Sequence, residues 1–492
     1  MCGFIWAKLP QRPTDAQISS SAKFIASRGP SSSSFDVRQD KDSYIFSAHF
    51  LLDVSGAAAK QPAYFPDPSS AELSLLFNGE IYNYKDLQPG ASSDTEALLP
   101  LFARFGDELW ARLDGEYAIV IHDRKQNRLH IAADQFLTKP IAIAFDAETG
   151  AFGVASYPSA LEALGFKSSG YFQPNAYAEF DLDVPSAWAD ALKSVKEKSA
   201  YHYDLEQFDA NFLNWEKAFL QSVKKRATHG TLPIFVPLSS GYDSGAICLA
   251  LNLLGLPYST ITINSSENDD VIARRIKINK KGGCVKAIQR RPLSPRQRHA
   301  IKHSIARDCE PLKYFHADET LLSDGGALGA YHVAEIAKKN GAYVCLSGCG
   351  ADEIISDYGY NGTKIYDHSE FGGLYPDDLN GFFPWKKVYG DTMRSYLFKD
   401  EYIFGVFGIE GRYPFLDPAV VQAFLSLTPA LKNSRYKAPI ASFLERHGYP
   451  FEPDVKRGFS PSDHQIDESL AGRLRDKIDL IRQYVPGFRD RI

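Results

Sequence analysis

The residue best suited to act as a nucleophile is Cys2, which follows the initiator methionine. A side chain this small permits removal of Met1, and removal would leave Cys2 with both a thiol and a free α-amine. An α-amine has a pKa of about 8, so at neutral pH it can accept the thiol proton. The sequence therefore indicates a cysteine nucleophile that uses its own amine as base.

A second chemical feature is the segment Phe77–Asn83, which reads FNGEIYN, followed by an acidic residue at Asp94. An amide side chain and a glycine N–H can stabilise an oxyanion. An Asn-Gly pair is also a strong signal for a β-turn, which is the purely structural alternative.

Together with Cys2-Gly3-Phe4 and Ser93-Asp94-Thr95-Glu96, this segment resembles the class II glutamine amidotransferases, and especially the asparagine synthetase family. The resemblance implies an oxyanion hole made by the Asn78 side chain and the Gly79 N–H. It implies that Glu80 and Asp94 bind the ammonium group of glutamine. Further matching segments, in the family's order, are Arg28-Gly29-Pro30, Gln61-Pro62, Leu113–Ala118 and Lys139-Pro140.

One position departs from the family pattern. The family carries an arginine in an H-x-R-L segment that binds the glutamine α-carboxylate, whereas this chain reads His49-Phe50-Leu51-Leu52. Without that arginine the carboxylate loses a charge-assisted, bidentate contact. Either Lys60 or Arg28 replaces the arginine, or glutaminase activity is weak, or the nitrogen donor differs.

A serine-rich loop, Ser239-Ser240-Gly241-Tyr242-Asp243-Ser244-Gly245, follows a predicted strand that ends at Leu238 and precedes a predicted helix. A tight loop at a helix N-terminus presents N–H groups and the positive end of the helix dipole to phosphates. The loop resembles the SGGxDS motif of the N-type ATP pyrophosphatases. The resemblance implies ATP binding by Leu238, Ser239, Gly241, Asp243 and Ser244.

The segment 346–353, LSGCGADE, resembles the second ATP-site motif of the same family. By that resemblance Ser347 and Gly348 contact the adenosine part, while Asp243 and Asp352 hold Mg²⁺ and pyrophosphate. Two carboxylates beside a triphosphate require a divalent cation between them. Downstream, the segment 408–417 matches a further family motif, and Lys456 is the lysine expected to neutralise charge on the adenylate.

Cys349 is the second departure from the family, because asparagine synthetases have a glutamate there that acts as a base. A thiol in apolar surroundings is a poor base at pH 7. We therefore expect an acceptor other than aspartate, for example a sugar acid or a natural-product acid.

The elements that must position these residues fall into two patterns. The first part of the chain reads as short strands with a helix at Asp94–Phe105, and the Ser31–Ser34 run is predicted to be a loop. The second part alternates strands and helices, which predicts a parallel sheet covered on both faces. The predicted strands are 231–238, 258–264 and 342–346, and the predicted helices are 246–254, 269–281 and 331–340.

With the resemblance, these patterns predict an α/β protein of two domains. The first, 2–185, is expected to be an αββα Ntn-hydrolase amidotransferase domain. A linker at 186–204 is expected to lead to a Rossmann-like, parallel-sheet ATP-pyrophosphatase domain at 205–492.

Composition limits the partners. A net charge of −5 gives no reason to expect nucleic acid or a membrane as partner. The first residues lack the basic flank and apolar core of a signal peptide, so a cytoplasmic protein is expected. The six cysteines form no metal-ligand spacing. A homodimer is compatible with the sequence, which does not fix the oligomeric state.

The sequence thus predicts a ligase that uses glutamine, ATP with Mg²⁺ and a carboxylate substrate, and that forms an amide through an acyl-adenylate. Three alternatives stay open. The chain could be an amide or peptide-bond synthetase that uses a substrate amine, a non-catalytic regulatory paralogue, or a tRNA-modifying pyrophosphatase. The intact Cys2 argues against the first, the retained Asp243, Asp352 and Lys456 against the second, and the acidic net charge against the third.

Overall fold

The computed structural model describes residues 2–54, 60–67, 72–195, 199–265 and 267–456. Within these ranges, every helix is too short or too polar to span a lipid bilayer.

The first part of the chain is rich in strands. Its elements in chain order are β1 (Gly3–Leu9), α1 (Asp15–Ser21), β2 (Ser32–Asp40), β3 (Ser43–Leu51), β4 (Ala63–Phe65), β5 (Leu73–Ile81), α2 (Tyr84–Leu87), α3 (Asp94–Phe105), β6 (Gly115–Asp123), β7 (Arg128–Ala133), β8 (Ala142–Asp146), β9 (Ala151–Ala155), α4 (Pro158–Ala163), β10 (Gly170–Tyr171), β11 (Tyr177–Asp181) and α5 (Trp188–Ser194).

These strands form two antiparallel sheets, in the orders β10-β8-β9-β1-β3-β2 and β11-β7-β6-β5-β4. Alternate residues of β5 face opposite ways, as the two-residue period of a strand requires. Leu76 packs in the core that contains β1 and β3, whereas Leu75 and Phe77 pack in a second core that contains α3. With α1 and α4 against the other sheet, the layers are αββα, which confirms the predicted fold of the first part.

The sequence predictions for individual elements succeed where local signals are strong. Helix α3 begins at Asp94 as predicted, because the Ser93 hydroxyl accepts the Glu96 N–H at the N-cap. The prediction of a loop at Ser31–Ser34 is wrong. Residues from Ser32 onward form the edge strand β2, which pairs with β3 in a continuous antiparallel register.

The second part alternates strands and helices. Its elements are α6 (Leu213–Thr228), β12 (Ile234–Pro237), α7 (Tyr242–Leu253), β13 (Tyr258–Ile263), α8 (Asp269–Gly282), β14 (Cys284–Arg290), α9 (Pro295–Asp308), α10 (Gly325–Lys339), β15 (Val344–Leu346), α11 (Ala351–Ile355), β16 (Gly359–Tyr360), β17 (Thr363–Lys364), α12 (Lys386–Tyr389), α13 (Asp391–Val406), β18 (Glu410–Arg412), α14 (Pro418–Leu425), α15 (Pro429–Lys432) and α16 (Ala438–Arg446).

Five of these strands form a parallel sheet in the order β14-β13-β12-β15-β18, which confirms the predicted sheet. β13 and β14 follow β12 in the sequence and lie on one side of it in the sheet, whereas β15 lies on the other side of β12. Right-handed crossovers therefore place α7 and α8 on one face and the helices that lead to β15 on the other. The order reverses between β12 and β15, and ligands of such sheets bind at that point, beyond the carboxyl ends of the strands.

Buried charged groups join the two parts. Arg226 of α6 donates to Glu116 of β6 at 2.7 Å and to Asp417 at 2.6 Å. Arg28 donates to Glu401 of α13 at 2.9 Å, and both side chains are fully buried. Buried ions need paired partners, so each part supplies counter-ions that the other requires.

The predicted domain boundaries at 185 and 205 remain predictions. The predicted linker contains α5, and the Trp188 side chain of that helix is buried in the core.

Candidate active site

Cys2 lies at the start of β1, next to the end of β5. Its backbone N–H donates to Asn78 Oδ1 at 2.8 Å, and its thiol lies 3.9 Å from the Leu52 carbonyl. Burial raises the pKa of the Cys2 thiol to about 11. The thiol is therefore neutral at pH 7, and a nucleophilic role requires a nearby base. The predicted removal of Met1 lies outside the described residues.

Asn78 supplies a donor that has nothing to bond to among the described residues. Its side chain is fully buried, and its Nδ2 has no hydrogen-bond partner within that part of the chain. An unpaired buried donor is costly, so this amide suits a ligand oxygen beside Cys2.

Gly79 lies inside strand β5, opposite Tyr117 of β6, so the β-turn reading of the Asn-Gly pair is wrong. Its φ is +141°, and a Cβ atom there would meet the Glu116 carbonyl oxygen at 2.0 Å. Only glycine fits this backbone. The predicted role of Asn78 and Gly79 as an oxyanion hole is compatible with this geometry and stays a prediction.

The two carboxylates predicted to bind ammonium, Glu80 and Asp94, already have a partner. His229, the residue that follows α6, places Nε2 2.6 Å from Glu80 Oε2 and 4.0 Å from Asp94 Oδ2. Burial and the Glu80 charge together raise the pKa of Asp94 to about 7. No sequence motif marks His229, because the contact joins segments that are far apart in the chain.

Leu51 ends β3, and Arg28 is not placed to replace the family arginine. The Arg28 guanidinium is buried and donates to the Cys2 carbonyl at 2.8 Å, to the Tyr157 hydroxyl at 2.5 Å and to Glu401. Arg28 therefore fixes the backbone of the nucleophile and is not available to a ligand. Lys60 is exposed.

The serine-rich loop lies between β12 and α7 as predicted, but α7 begins at Tyr242, so the last four residues of the predicted loop form the first turn of the helix. The Ser244 hydroxyl accepts the Ser239 N–H at 3.0 Å, and the Ser239 hydroxyl accepts the Gly241 N–H at 3.2 Å. Arg275, which the sequence did not single out, donates to the Ser239 and Gly241 carbonyls at 2.6 and 2.8 Å. These bonds leave the helix N-terminus facing the switch point of the sheet. Leu238, at the end of β12, is buried.

The predicted acidic pair lies close together. Asp243 and Asp352 are both bonded to Lys437, whose Nζ is 2.7 Å from Asp243 Oδ1 and 2.8 Å from Asp352 Oδ1. Lys456 forms a further ion pair with Asp352. Although burial opposes it, Lys437 and Lys456 hold the pKa of Asp352 well below its usual range. This charged cluster is formed by Asp243, Asp352, Lys437 and Lys456.

Lys437 was missed by the sequence analysis. It is the N-cap of α16 and has φ +47° and ψ +50°, a left-handed conformation that is unfavourable for a side chain of this kind. Burial alone would lower the pKa of Lys437, but Asp243 and Asp352 outweigh burial and raise it. No sequence signal marks Lys437, because its partners Asp243 and Asp352 are remote in the chain.

The two ATP-site loops approach closely through a glycine. A Cβ atom on Gly348 would lie 2.9 Å from the Asp243 side chain. Ser347, beside it, donates its hydroxyl to Asp400 at 2.8 Å. The adenosine-binding role of Ser347 and Gly348 stays a prediction.

Cys349 is a neutral thiol, as expected. Burial raises its pKa well above the ordinary value, and the charges of Glu353 and Asp400 add to that effect. Asp400 lies in the same cavity, and burial raises its pKa to about 6. A carboxylate with such a pKa is ionised at pH 7 and can accept a proton.

These loops enclose a cavity of about 380 Å³. The serine loop and the charged cluster line it together with aromatic and imidazole side chains, which come from Tyr358, Tyr366, His368 and Tyr396. The Lys456 ammonium group lies 5.5 Å from the centre of the Tyr358 ring. The Tyr366 and His368 rings are stacked at 13° to one another.

The fold and this site define a glutamine amidotransferase of the ligase type, with an amidase half and an ATP-using half. Residues 1–185 match the model of the glutamine amidotransferase domain, and residues 214–380 match that of asparagine synthase. The chain belongs to the family of glutamine-hydrolysing asparagine synthetases.

Several curated relatives are similar along most of their length. The chain is 26% identical to an asparagine synthetase (glutamine-hydrolyzing) of Gallus gallus, over 97% of this chain and 87% of that one. It is 25% identical to the enzyme of that name from Mus musculus, over 88% of this chain and 78% of that one. A candidate enzyme of the same name from Methanocaldococcus jannaschii is 27% identical, over 81% and 72%.

Among solved structures, the chain is similar to the allosteric regulatory enzyme of purine biosynthesis. The identity is 12%, the coverage is 58% of this chain and 80% of that one, and the TM-score is 0.32.

Proposed function

We propose that this protein amidates a carboxylate acceptor through an acyl-adenylate, with glutamine as nitrogen donor and release of AMP and pyrophosphate. One observation carries the proposal. The loops after β12 and β15 bring Asp243 and Asp352 to the same lysine, Lys437, in a cavity at the switch point of the sheet. The names of the relatives support glutamine as donor.

In the amidase half, the Cys2 thiol gives its proton to the α-amine and attacks the carboxamide carbon of glutamine. The Asn78 Nδ2–H and the Gly79 N–H donate to the resulting oxyanion. The carbon–nitrogen bond breaks and ammonia leaves with the proton. Water then hydrolyses the thioester and releases glutamate.

In the synthetase half, an acceptor carboxylate oxygen attacks the α-phosphorus of ATP, and pyrophosphate leaves. Lys437 and Lys456 lie where they can neutralise the negative charge that develops on the phosphates. Asp243 and Asp352 would hold the Mg²⁺ that accompanies ATP, because this ion prefers hard oxygen donors. In the structure both carboxylates are paired with lysines. When the nucleotide binds, Asp243 and Asp352 would therefore contact the lysine ammonium groups and the metal ion at the same time.

Ammonia then attacks the acyl carbon, AMP leaves, and the surplus proton must go to a base. Cys349 is a neutral thiol and cannot accept it. Asp400 can, because its carboxylate faces the same cavity and is ionised at pH 7. Ammonia must travel through the interior, since in water at pH 7 it is mostly protonated.

The acceptor that this cavity favours is a carboxylate other than aspartate. Cys349 removes the glutamate of the asparagine synthetases, and the aromatic walls formed by Tyr358, Tyr366 and Tyr396 offer apolar surface to the ligand. Aromatic faces pack well against rings and apolar groups, whereas the short polar side chain of aspartate uses little of that surface. A sugar acid or another ring-bearing acid fits better.

Pyrophosphate and AMP formation should be measured with a panel of carboxylates that includes aspartate, sugar acids and larger ring-bearing acids. Each acid should be tested with glutamine, with ammonium chloride and with neither. We expect a ring-bearing acid to give the highest kcat/KM, and glutamine to replace ammonia. The highest kcat/KM for aspartate would contradict the acceptor proposal, and product formation only with a substrate amine would contradict the donor.

A further inference from the structure

The residue that follows α6, His229, lies against two carboxylates of the other half. His229 Nε2 lies 2.6 Å from Glu80 Oε2, and the ligand atoms of His229, Glu80 and Asp94 lie within 4.8 Å of one another. Glu80 comes from the end of β5, directly after Gly79 of the predicted oxyanion hole, and Asp94 begins α3. The imidazole therefore lies against the two carboxylates that are predicted to bind the ammonium group of glutamine.

The short distance identifies a hydrogen-bonded ion pair. Two ligands of one tetrahedral zinc ion, each about 2.05 Å from the metal, lie about 3.3 Å apart. The observed separation of 2.6 Å is that of a charge-assisted hydrogen bond. Burial by itself lowers the pKa of His229, but the hydrogen bond and charge of Glu80 outweigh burial and raise it.

The position of His229 is fixed on several sides. Its carbonyl accepts Arg412 Nη1–H at 2.6 Å, and its ring contacts the edges of Tyr82 and Tyr84, with centroids 5.3 and 5.9 Å away. Arg412 also places Nη2 3.6 Å from Glu80 Oε1. Glu80 thus faces two cationic side chains of the synthetase half.

The segment that follows His229, Gly230-Thr231, is fixed by contacts with Val54. Gly230 has φ +98°, and a Cβ atom there would lie 2.7 Å from the Val54 side chain. The Thr231 N–H donates to the Val54 carbonyl at 2.9 Å. The segment therefore packs against the chain that follows Leu51.

We propose that His229 is a specificity-determining residue that competes with the ammonium group of glutamine for Glu80 and Asp94. The proposal rests on the proposed function, because it takes glutamine as the amide donor. An ammonium group placed beside the His229 imidazolium and Arg412 meets like charges, and Glu80 already accepts a short hydrogen bond. The α-amino group of the donor therefore contributes little to its recognition while His229 is present.

The test compares two amides in the same enzyme. One is glutamine, and the other is the monoamide of glutaric acid, which is glutamine without its α-amino group. The ratio of their kcat/KM values for ammonia release measures the contribution of the amino group. General loss of folded protein cancels in this ratio. Removal of His229 opens Glu80 and Asp94 to the ammonium group, so we expect the ratio to rise at least about tenfold in His229→Ala.

His229→Gln serves as a second variant, because it keeps a hydrogen-bond donor but removes the charge. Its ratio of kcat/KM values should lie between that of the wild type and that of His229→Ala. His447→Ala is the matched control. His447 Nε2 also lies 3.0 Å from a glutamate, Glu216 of α6, but on the surface of the synthetase half. Its ratio should equal that of the wild type.

Suppose that the ratio of the two kcat/KM values is the same in both His229 variants as in the wild type, which includes the case of an equal rise for both amides. This result would overturn the competition and leave the proposed function standing. Failure of the wild type and both variants to release ammonia from glutamine, while ammonium chloride supports amide formation, would overturn the glutamine donor as well.

Discussion

The Lys437 ammonium group lies 2.7 and 2.9 Å from the two carboxylate oxygens of Asp243. The lysine comes from the N-cap of α16 and the aspartate from the first turn of α7, so the bond joins remote parts of the synthetase half. We expect Lys437→Met to lower pyrophosphate release by roughly two to three orders of magnitude, because removal of a positioned charge costs about 2.7–4 kcal/mol in the transition state.

Glutamine hydrolysis by Lys437→Met should persist, since Cys2 and Asn78 belong to the other half. Lys339→Met is a suitable control, because Lys339 forms an exposed ion pair with Glu335. Pyrophosphate release at the wild-type rate in Lys437→Met would show that the lysine has only a structural role.

Asp352→Asn tests the acidic pair. The substitution removes a negative charge that Lys437 and Lys456 share, so pyrophosphate release should fall by about a hundredfold or more while glutaminase activity is largely kept. Both activities should be followed in one preparation. Loss of both together would point to misfolding and would count against the assigned division of labour.

Cys2→Ala tests the nucleophile. Glutamine-dependent amide formation should be abolished, and ammonia-dependent formation should remain, because the thiol acts only on glutamine. Intact-mass measurement should show a mature chain that begins at Cys2. Cys284→Ala, which changes a buried thiol of β14, should leave glutamine use intact. Unchanged glutamine use in Cys2→Ala would refute the amidase assignment.

The pH dependence of amide formation tests Asp400. A base is active when deprotonated, so its contribution should be present above its pKa of about 6 and should be lost as the pH falls through that value. Asp400→Asn should be slower by about a hundredfold at pH 8. The ratio of wild-type to variant rates at each pH cancels the ionisation of ammonia itself. A ratio that does not change between pH 5 and pH 8 would exclude Asp400 as the base.

Leu51→Arg tests the missing carboxylate contact. A guanidinium at the end of β3 should restore a charge-assisted bond to the glutamine α-carboxylate and lower KM for glutamine by about tenfold. Ammonia-dependent turnover is the control for folding. If the wild-type KM already equals that of a relative that has the arginine, another cation fills this role, and Lys60→Ala becomes the next experiment.

Much of the fold and of the site could be predicted from local sequence. The Ser93 cap of α3 and the serine loop before α7 are short-range features whose hydrogen bonds join neighbouring residues, so their patterns are readable. The Ser31–Ser34 run was misread because serine is common in loops, whereas here the partner strand β3 determines the conformation.

The residues that sequence reasoning missed are held by contacts between remote segments. His229 meets Glu80 across the two halves, Lys437 meets Asp243 across 194 positions, and Asp400 meets Ser347 across 53. Nothing in the neighbouring sequence marks such residues. Resemblance to motifs located the carboxylates and Lys456, but not Lys437 or His229, which also pair with those carboxylates.

The bond between Arg28 and Glu401 limits how this enzyme can be recombined with its relatives. Arg28 holds the carbonyl of the nucleophile, yet its own counter-ion lies on α13. An amidase half grafted onto a foreign synthetase half that lacks an acid at this position would carry an unpaired buried guanidinium directly behind Cys2. Functional chimeras should therefore require Glu401 to be transplanted together with the amidase half.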